Sequence, residues 1–198
     1  AIAGSYSLGE RPLKIIFSYN RTFSSTQLHT MSGSWTRRMR PDYTLSIYPA
    51  AFTPAEAEAQ SLMVHIHFDA KYKVEALDGL FGSEAEEQEG NGDEISGRGT
   101  AKRDDLLKMH AYLDAIRRSE GAYVIYPGSQ NQRWQEYQEI LPGLGAFRLR
   151  PGDNGKIVGG QDISKFIGLI IEHIRNRATR WERQNYHEHR IQSSPPPF

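Results

Sequence analysis

Asp69 and Lys71 stand one residue apart in the run Leu62-Met-Val-His-Ile-His-Phe-Asp-Ala-Lys-Tyr-Lys-Val74. In it Val64, Ile66, Phe68, Ala70, Tyr72 and Val74 alternate strictly with His65, His67, Asp69, Lys71 and Lys73. A period of two with β-branched and aromatic residues predicts a half-buried strand over 62–74. Successive side chains on a strand point to opposite faces, so the Asp69 carboxylate and the Lys71 ammonium project from the same face. A second carboxylate, Asp42, follows Pro41 at the start of another alternating run, in which Tyr43, Leu45 and Ile47 oppose Asp42, Thr44 and Ser46. Two carboxylates and a lysine suit metal-assisted phosphodiester hydrolysis. A magnesium or manganese ion takes oxygen ligands, often one or two carboxylates completed by water and substrate phosphate. If the two strands pair, Asp42 and Asp69 hold the metal and the Ala70 carbonyl offers a further ligand. Lys71 then orients or deprotonates the attacking water, or offsets charge in the transition state.

The elements that must position these groups can be read in order. Residues 1–12 read as a loop, Leu13 to Tyr19 as a strand, and Asn20 to Gly33 as a turn or long hairpin connection. The Asp42 strand ends at Pro49, and Pro41 at its start sits where a missing N–H is tolerated. Residues 53–60 predict a short helix with Thr53 as N-cap and Pro54 at its first position. Residues 78–100 are acidic and glycine-rich, which predicts a mobile loop. Residues 104–118 predict a helix opened by Asp104 and Asp105, closed by Arg117 and Arg118 and followed by Gly121. Its core stripe is Leu106, Met109, Leu113 and Ile116. Short strands follow at Ala122–Tyr126 and Ala146–Arg150. A last helix starts at Asp162 as N-cap and presents Phe166, Ile167, Ile170, Ile171 and Ile174 on one face as far as Trp181. The order of strands and helices predicts an α/β sandwich with a mixed sheet in a single domain over 1–186, followed by a disordered Pro-rich tail over 187–198. One face of the 62–74 sheet should be packed and the other lined with polar groups.

Composition narrows the function classes. With 24 basic and 24 acidic residues the net charge is +0, so no global charge announces a nucleic-acid partner and local patches must carry one. The absence of cysteine excludes disulfides, thiolate metal sites and a cysteine nucleophile, and fits a reducing, cytoplasmic setting. No apolar run approaches the roughly 20 residues of a membrane span, and the N-terminus does not read as a signal peptide. The sequence begins at Ala1 without methionine, as a fragment or a processed product would.

Pro41-Asp42 followed by Asp69-Ala70-Lys71 on an alternating strand resembles the PD-(D/E)XK nuclease superfamily, which includes many restriction endonucleases. Asp105-Leu-Leu-Lys-Met-His-Ala-Tyr112 and Gly121-Ala-Tyr-Val-Ile-Tyr-Pro-Gly128 resemble the segment after the catalytic strand in nuclease subunits of McrBC-type restriction systems. They resemble more closely a related prokaryotic nuclease family often paired with an AAA+ GTPase. The likeness spans roughly residues 35–130. It implies a restriction-endonuclease-like mixed sheet flanked by helices and a Mg2+-dependent DNA endonuclease of a restriction or defence system, probed below. It also implies that the chain is the C-terminal part of a longer protein, with DNA recognition supplied N-terminally and cleavage controlled by an AAA+ GTPase or ATPase partner. Two departures stand out. Lys108 occupies a place where related enzymes often carry glutamine, four residues before Tyr112. No helix glutamate precedes Leu13, where many members place a further metal ligand.

Three further groups compete for a role. His65, His67 and Asp69 resemble the opening of the zinc motif of metallo-β-lactamase-like hydrolases, and imidazoles suit zinc. That family places a histidine directly after the aspartate, where this chain has Ala70, so both histidines are expected to line the polar face at the edge of the site. Arg37, Arg38 and Arg40, beside Trp35, can grip phosphates and stack on a base. Lys73, Lys108, His110 and Tyr112 are weaker candidates for DNA or site contacts. A nuclease-like fold with idle catalytic groups, serving as a DNA-binding or docking module, is the non-enzymatic alternative. Duplex cutting requires two active sites or two nicking events, which a homodimer would meet.

Overall fold

The computed structural model describes residues 1–6, 12–28, 30–71, 107–127, 139–141, 143–152 and 155–175. The expected end of the domain at 186, the acidic stretch 78–100, the tail 187–198 and Lys73 lie outside the described residues. By its internal contacts the chain divides into two compact units, Ala1–Gly160 and Gln161–Phe198.

The first unit is built on a sheet of seven strands. These are β1 (Ile2–Tyr6), β2 (Leu13–Tyr19), β3 (Tyr43–Pro49), β4 (Val64–Ala70), β5 (Ser119–Tyr126), β6 (Glu139–Leu141) and β7 (Leu144–Arg148). Their spatial order is β1-β2-β3-β4-β5-β7-β6. The first four run antiparallel in sequence, β4–β5 and β5–β7 are parallel, and β6 returns antiparallel to β7. A small antiparallel pair, β8 (Arg150–Pro151) and β9 (Ile157–Val158), follows. Helix α1 spans Pro54–Ala59, and α2 is described over 107–115. This is the expected α/β fold, a mixed sheet flanked by helices.

Local chemistry explains most of the boundaries. Thr53 caps α1 through its hydroxyl while Glu56 reaches back to the Thr53 N–H, a complete capping box with Pro54 in the first turn. β1 corrects the loop expected over residues 1–12. All five of its residues are exposed, so backbone pairing with β2 holds it and no apolar period betrays it. The strand expected over 62–74 begins two residues later, at Val64, and is described to Ala70.

The α2–β5 junction also differs from expectation. Arg117 and Arg118 lie in the turn after the helix, and Arg118 takes the left-handed conformation (φ 62) assigned to a glycine. Gly121 instead lies inside β5, which starts at Ser119. A Cβ there would stand 2.7 Å from the Tyr123 ring, so glycine is required by close approach rather than by a cap.

A core cluster gathers Met109, Tyr112, Ala115 and Ile116 of the α2 region against Ala122, Val124 and Tyr126 of β5 and Leu144 and Ala146 of β7. Fully burying side chains of this size contributes about 1.5–3 kcal/mol each before entropic costs. The segment between β2 and β3 joins this layer through Phe23 and Met39, which bridge to each other. Arg117 fastens the same segment. Its guanidinium donates to the Leu28 carbonyl at 2.9 Å and the Gln27 carbonyl at 3.1 Å, and lies 5.4 Å from the centre of the Trp35 ring.

Consequently the second face of β3 and β4 is lined with polar groups, as expected, but it is covered, where the alternation predicted a half-buried strand. Thr44, Ser46, His65 and His67 are each 0% exposed. The expected helix at Asp162 is present as α3, described over 160–175. Asp162 lies within its first turn, favourable for the helix dipole, rather than at the cap. Phe166 and Ile171 are its buried residues. No described helix is long and apolar enough to cross a membrane.

Candidate active site

The pairing of β3 with β4 assembles the site. Their register sets Tyr43 opposite Phe68, so the residue before Tyr43 meets the residues after Phe68. Asp42 Oδ2 accordingly accepts a hydrogen bond from the Ala70 N–H at 2.8 Å. Lys71 N–H donates the other way, to the Ile125 carbonyl of β5 at 2.8 Å. Backbone groups alternate sides along a strand, so the Ala70 carbonyl shares the Asp42 side with its own N–H.

Asp69 is 1% exposed and stands between two ammonium groups. Lys71 Nζ lies 2.8 Å from Oδ2, and Lys108 Nζ lies 2.8 Å from Oδ1. Lys108 and Tyr112 are four apart on α2 and therefore share a helix face. The Tyr112 hydroxyl donates to the Arg40 carbonyl at 3.2 Å and stands 3.5 Å from Asp69 Oδ1. Burial first, then the negative charges of Asp69 and Asp42, push the Tyr112 phenol well above its ordinary pKa. It is a fixed hydroxyl donor and not a base near neutral pH. Lys108 also lies over the Tyr112 ring, 5.6 Å from its centre.

Asp69 Oδ2 is buried, and its partner among the described residues is the Lys71 ammonium at 2.8 Å. A buried carboxylate oxygen with lone pairs in reserve, near a second carboxylate, fits a hard divalent cation. Among the described residues no group of three or more His, Cys, Asp or Glu is arranged to hold a metal. Among the described residues Asp42 and Asp69 are the carboxylates that could contribute to such a site, and carboxylate oxygens suit a hard divalent cation completed by water and phosphate.

Beside Asp69 opens a cleft of about 430 Å³. Arg37, Arg38, Arg40 and Lys108 supply its cations, and Met39, Leu107 and Ala111 supply apolar wall. Tyr112 lines it too, so cleft and carboxylate share Lys108 and Tyr112. Trp35 is not part of it, because its ring packs with Arg117. His110 is half-buried on α2 and is not among the lining residues.

The histidines do something else. His65 Nδ1 meets the Ser46 hydroxyl at 2.9 Å and His67 Nδ1 meets the Thr44 hydroxyl at 3.0 Å. Their rings are 6.1 Å apart, and both pack edge-on against Phe23 at 5.3 Å. Each Nδ1 turns to a β3 hydroxyl, His65 Nε2 turns to Glu58, and no metal-holding group of His65, His67 and Asp69 is formed among the described residues, nor do the buried rings edge an open site. His65 Nε2 faces Glu58 Oε1 at 3.3 Å, and Arg118 pairs with Glu58 Oε2 at 3.1 Å. Arg21 reaches the same carboxylate at 3.5 Å, and Ser32 hydrogen-bonds to it. This buried ionic cluster has no signal in the sequence beyond an acidic residue on the inner face of α1.

A model of the PD-(D/E)XK nuclease superfamily matches residues 2–131. No curated protein and no solved structure matches the chain. The matched span takes in Asp42, Asp69, Lys71, Lys108 and Tyr112, and it covers well over half of the sequence. The chain belongs to the PD-(D/E)XK nuclease superfamily.

Proposed function

We propose that the protein is a metal-dependent DNA endonuclease, working in a restriction or defence system. The observation that carries this reading is the meeting of Asp42 with the end of β4, where Asp69 and Lys71 share one face. Asp42 and Asp69, with the Ala70 carbonyl, would hold Mg2+ or Mn2+, which when bound neutralises phosphate charge and lowers the pKa of a coordinated water. Lys71 Nζ, tied to Asp69 Oδ2, orients the attacking water and offsets negative charge building on the phosphate. Tyr112, held protonated, fixes the arginine segment through the Arg40 carbonyl and thereby the cleft against the carboxylates. Arg37, Arg38 and Arg40 bind phosphates flanking the scissile bond. An AAA+ GTPase or ATPase partner and the McrBC-like setting rest on family likeness alone.

The test is cleavage of plasmid and single-stranded DNA in magnesium or manganese by wild type, Asp69→Ala and Lys71→Ala. Each substitution should lower the rate by about 10²–10⁴-fold, the usual range for losing a positioned catalytic group. Manganese binding, followed by titration, should be lost in Asp69→Ala and retained in Lys71→Ala. Cutting that survives both substitutions would put the chemistry elsewhere. Tight DNA binding without cutting or metal uptake would favour the docking-module reading.

A further inference from the structure

Resting on the nuclease reading, we infer that the cleft between the Arg37–Arg40 segment and α2 is a subsite for one unpaired nucleotide next to the scissile phosphate. The enzyme therefore acts on single strands or unpaired tails in preference to uninterrupted duplex DNA. Arg37, Arg38 and Arg40 are exposed, and none has an ion-pair partner among the described residues. Three exposed guanidinium groups around one cleft suit an anion. Cations alone would suit the backbone of any nucleic acid, duplex included. The wall opposite them is what discriminates. Leu107 is 57% exposed, and with Ala111 it gives the α2 side of the same cleft an apolar surface. A duplex presents its bases to a protein only as edges in the grooves, so such a wall gains nothing from it. A base turned out of its stack presents a face to it, and guanidinium planes can cover the other side.

Size and connection agree with this. A volume of about 430 Å³ belongs to small-molecule sites and admits a nucleotide, not a double helix. Lys108 lines the cleft while its Nζ sits 2.8 Å from Asp69 Oδ1. A nucleotide seated there has its neighbouring phosphodiester at the catalytic carboxylate.

The experiment measures binding of the full chain, in calcium, to three labelled DNAs: a single strand, its blunt duplex, and that duplex with an unpaired tail. The single strand and the tailed duplex should bind about tenfold tighter than the blunt duplex, the scale of one base stacking on protein. Leu107→Ser, at an exposed position, should remove most of that preference and leave blunt-duplex binding unchanged. Arg38→Ala should weaken all three alike. Equal binding of blunt duplex and single strand, or a Leu107→Ser loss shared by both, overturns the subsite. Cleavage of the same DNAs in magnesium separates the two readings. Preferred cutting of blunt duplex overturns the subsite and keeps the nuclease. An intact preference for unpaired DNA with no cutting of any substrate overturns the nuclease and keeps the subsite.

Discussion

His65, His67 and Asp69 on one face of β4, with Lys71 just past its end, divide between two tasks according to what covers them. Asp69 and Lys71 reach the end of the sheet, and Lys71 is partly exposed. His65 and His67 are sealed under Phe23 and the β2–β3 segment. Burial first, with the like charge of Arg21, pushes the His65 pKa down, and Arg118 adds to this while Glu58 opposes it. Burial first, then His65 and Arg21, pushes His67 well below 6.5. For Glu58, burial works upward, but hydrogen bonds from His65 and Ser32 and the charges of His65 and Arg118 outweigh it, so its pKa falls below 4.5. A histidine depressed in the folded state binds fewer protons there than in the unfolded chain once pH drops below 6.5. Stability is therefore complete above that pH and falls as pH drops through it. The depressed Glu58 gives a further loss below 4.5, of the same sign. Urea unfolding from about pH 8 down to about pH 5 should show a steady decline, shallower in His67→Gln. A flat profile across that range would mean the imidazoles are not held neutral.

At the scale of elements, α2 performs two jobs by helical phase. Met109, Tyr112 and Ile116 fill the layer over β5 and β7, while Lys108, one turn before Tyr112, turns to Asp69. On the face of β5 turned away from α2, Gly121 leaves room for the Tyr123 ring to cross its Cα, where Tyr123 packs with Phe68 and Phe147. Gly121→Ala should lower stability by about 1–3 kcal/mol, since the ring is 2% exposed and has little room to yield. A urea midpoint equal to wild type would show that the ring moves freely.

The same elements separate what a sequence displays from what it hides. β3 and β4 are legible because alternation is strong, and their pairing brings Asp42 to Ala70 as their placement implies. β1 is illegible because exposed residues carry no period, and Gly121 reads as a cap because glycine has two uses. Alternation distinguishes the two faces of a strand but not whether the polar face meets water. His65 and His67 therefore read as site-lining groups, whereas in the fold hydroxyls of Ser46 and Thr44 meet their Nδ1 atoms inside. Glu58 could not be read at all, because its partners Arg21, His65 and Arg118 come from three distant segments.

For the whole chain, equal numbers of basic and acidic residues leave no net field to draw DNA from a distance. In the proposed DNA complex affinity would then come from local patches, and in the cleft Arg37, Arg38, Arg40 and Lys108 set an upper limit of four phosphate contacts among the residues that line it. Lys108 is already ion-paired with Asp69, so its share is smaller than that of the three arginines. Each neutralised phosphate of a single strand steepens the fall of log K with log salt by about 0.7, which gives a slope of about −2 to −3 for this cleft. Replacing Arg38 by alanine should reduce the slope by about 0.7 and weaken binding regardless of sequence. A basic surface spread over the chain would give a much steeper slope that Arg38→Ala barely changes. Titrations of a single-stranded oligonucleotide at several salt concentrations, on wild type and Arg38→Ala, distinguish a local grip from a diffuse one. A slope near zero would mean that the arginines do not meet phosphates, and that binding depends on apolar contact alone.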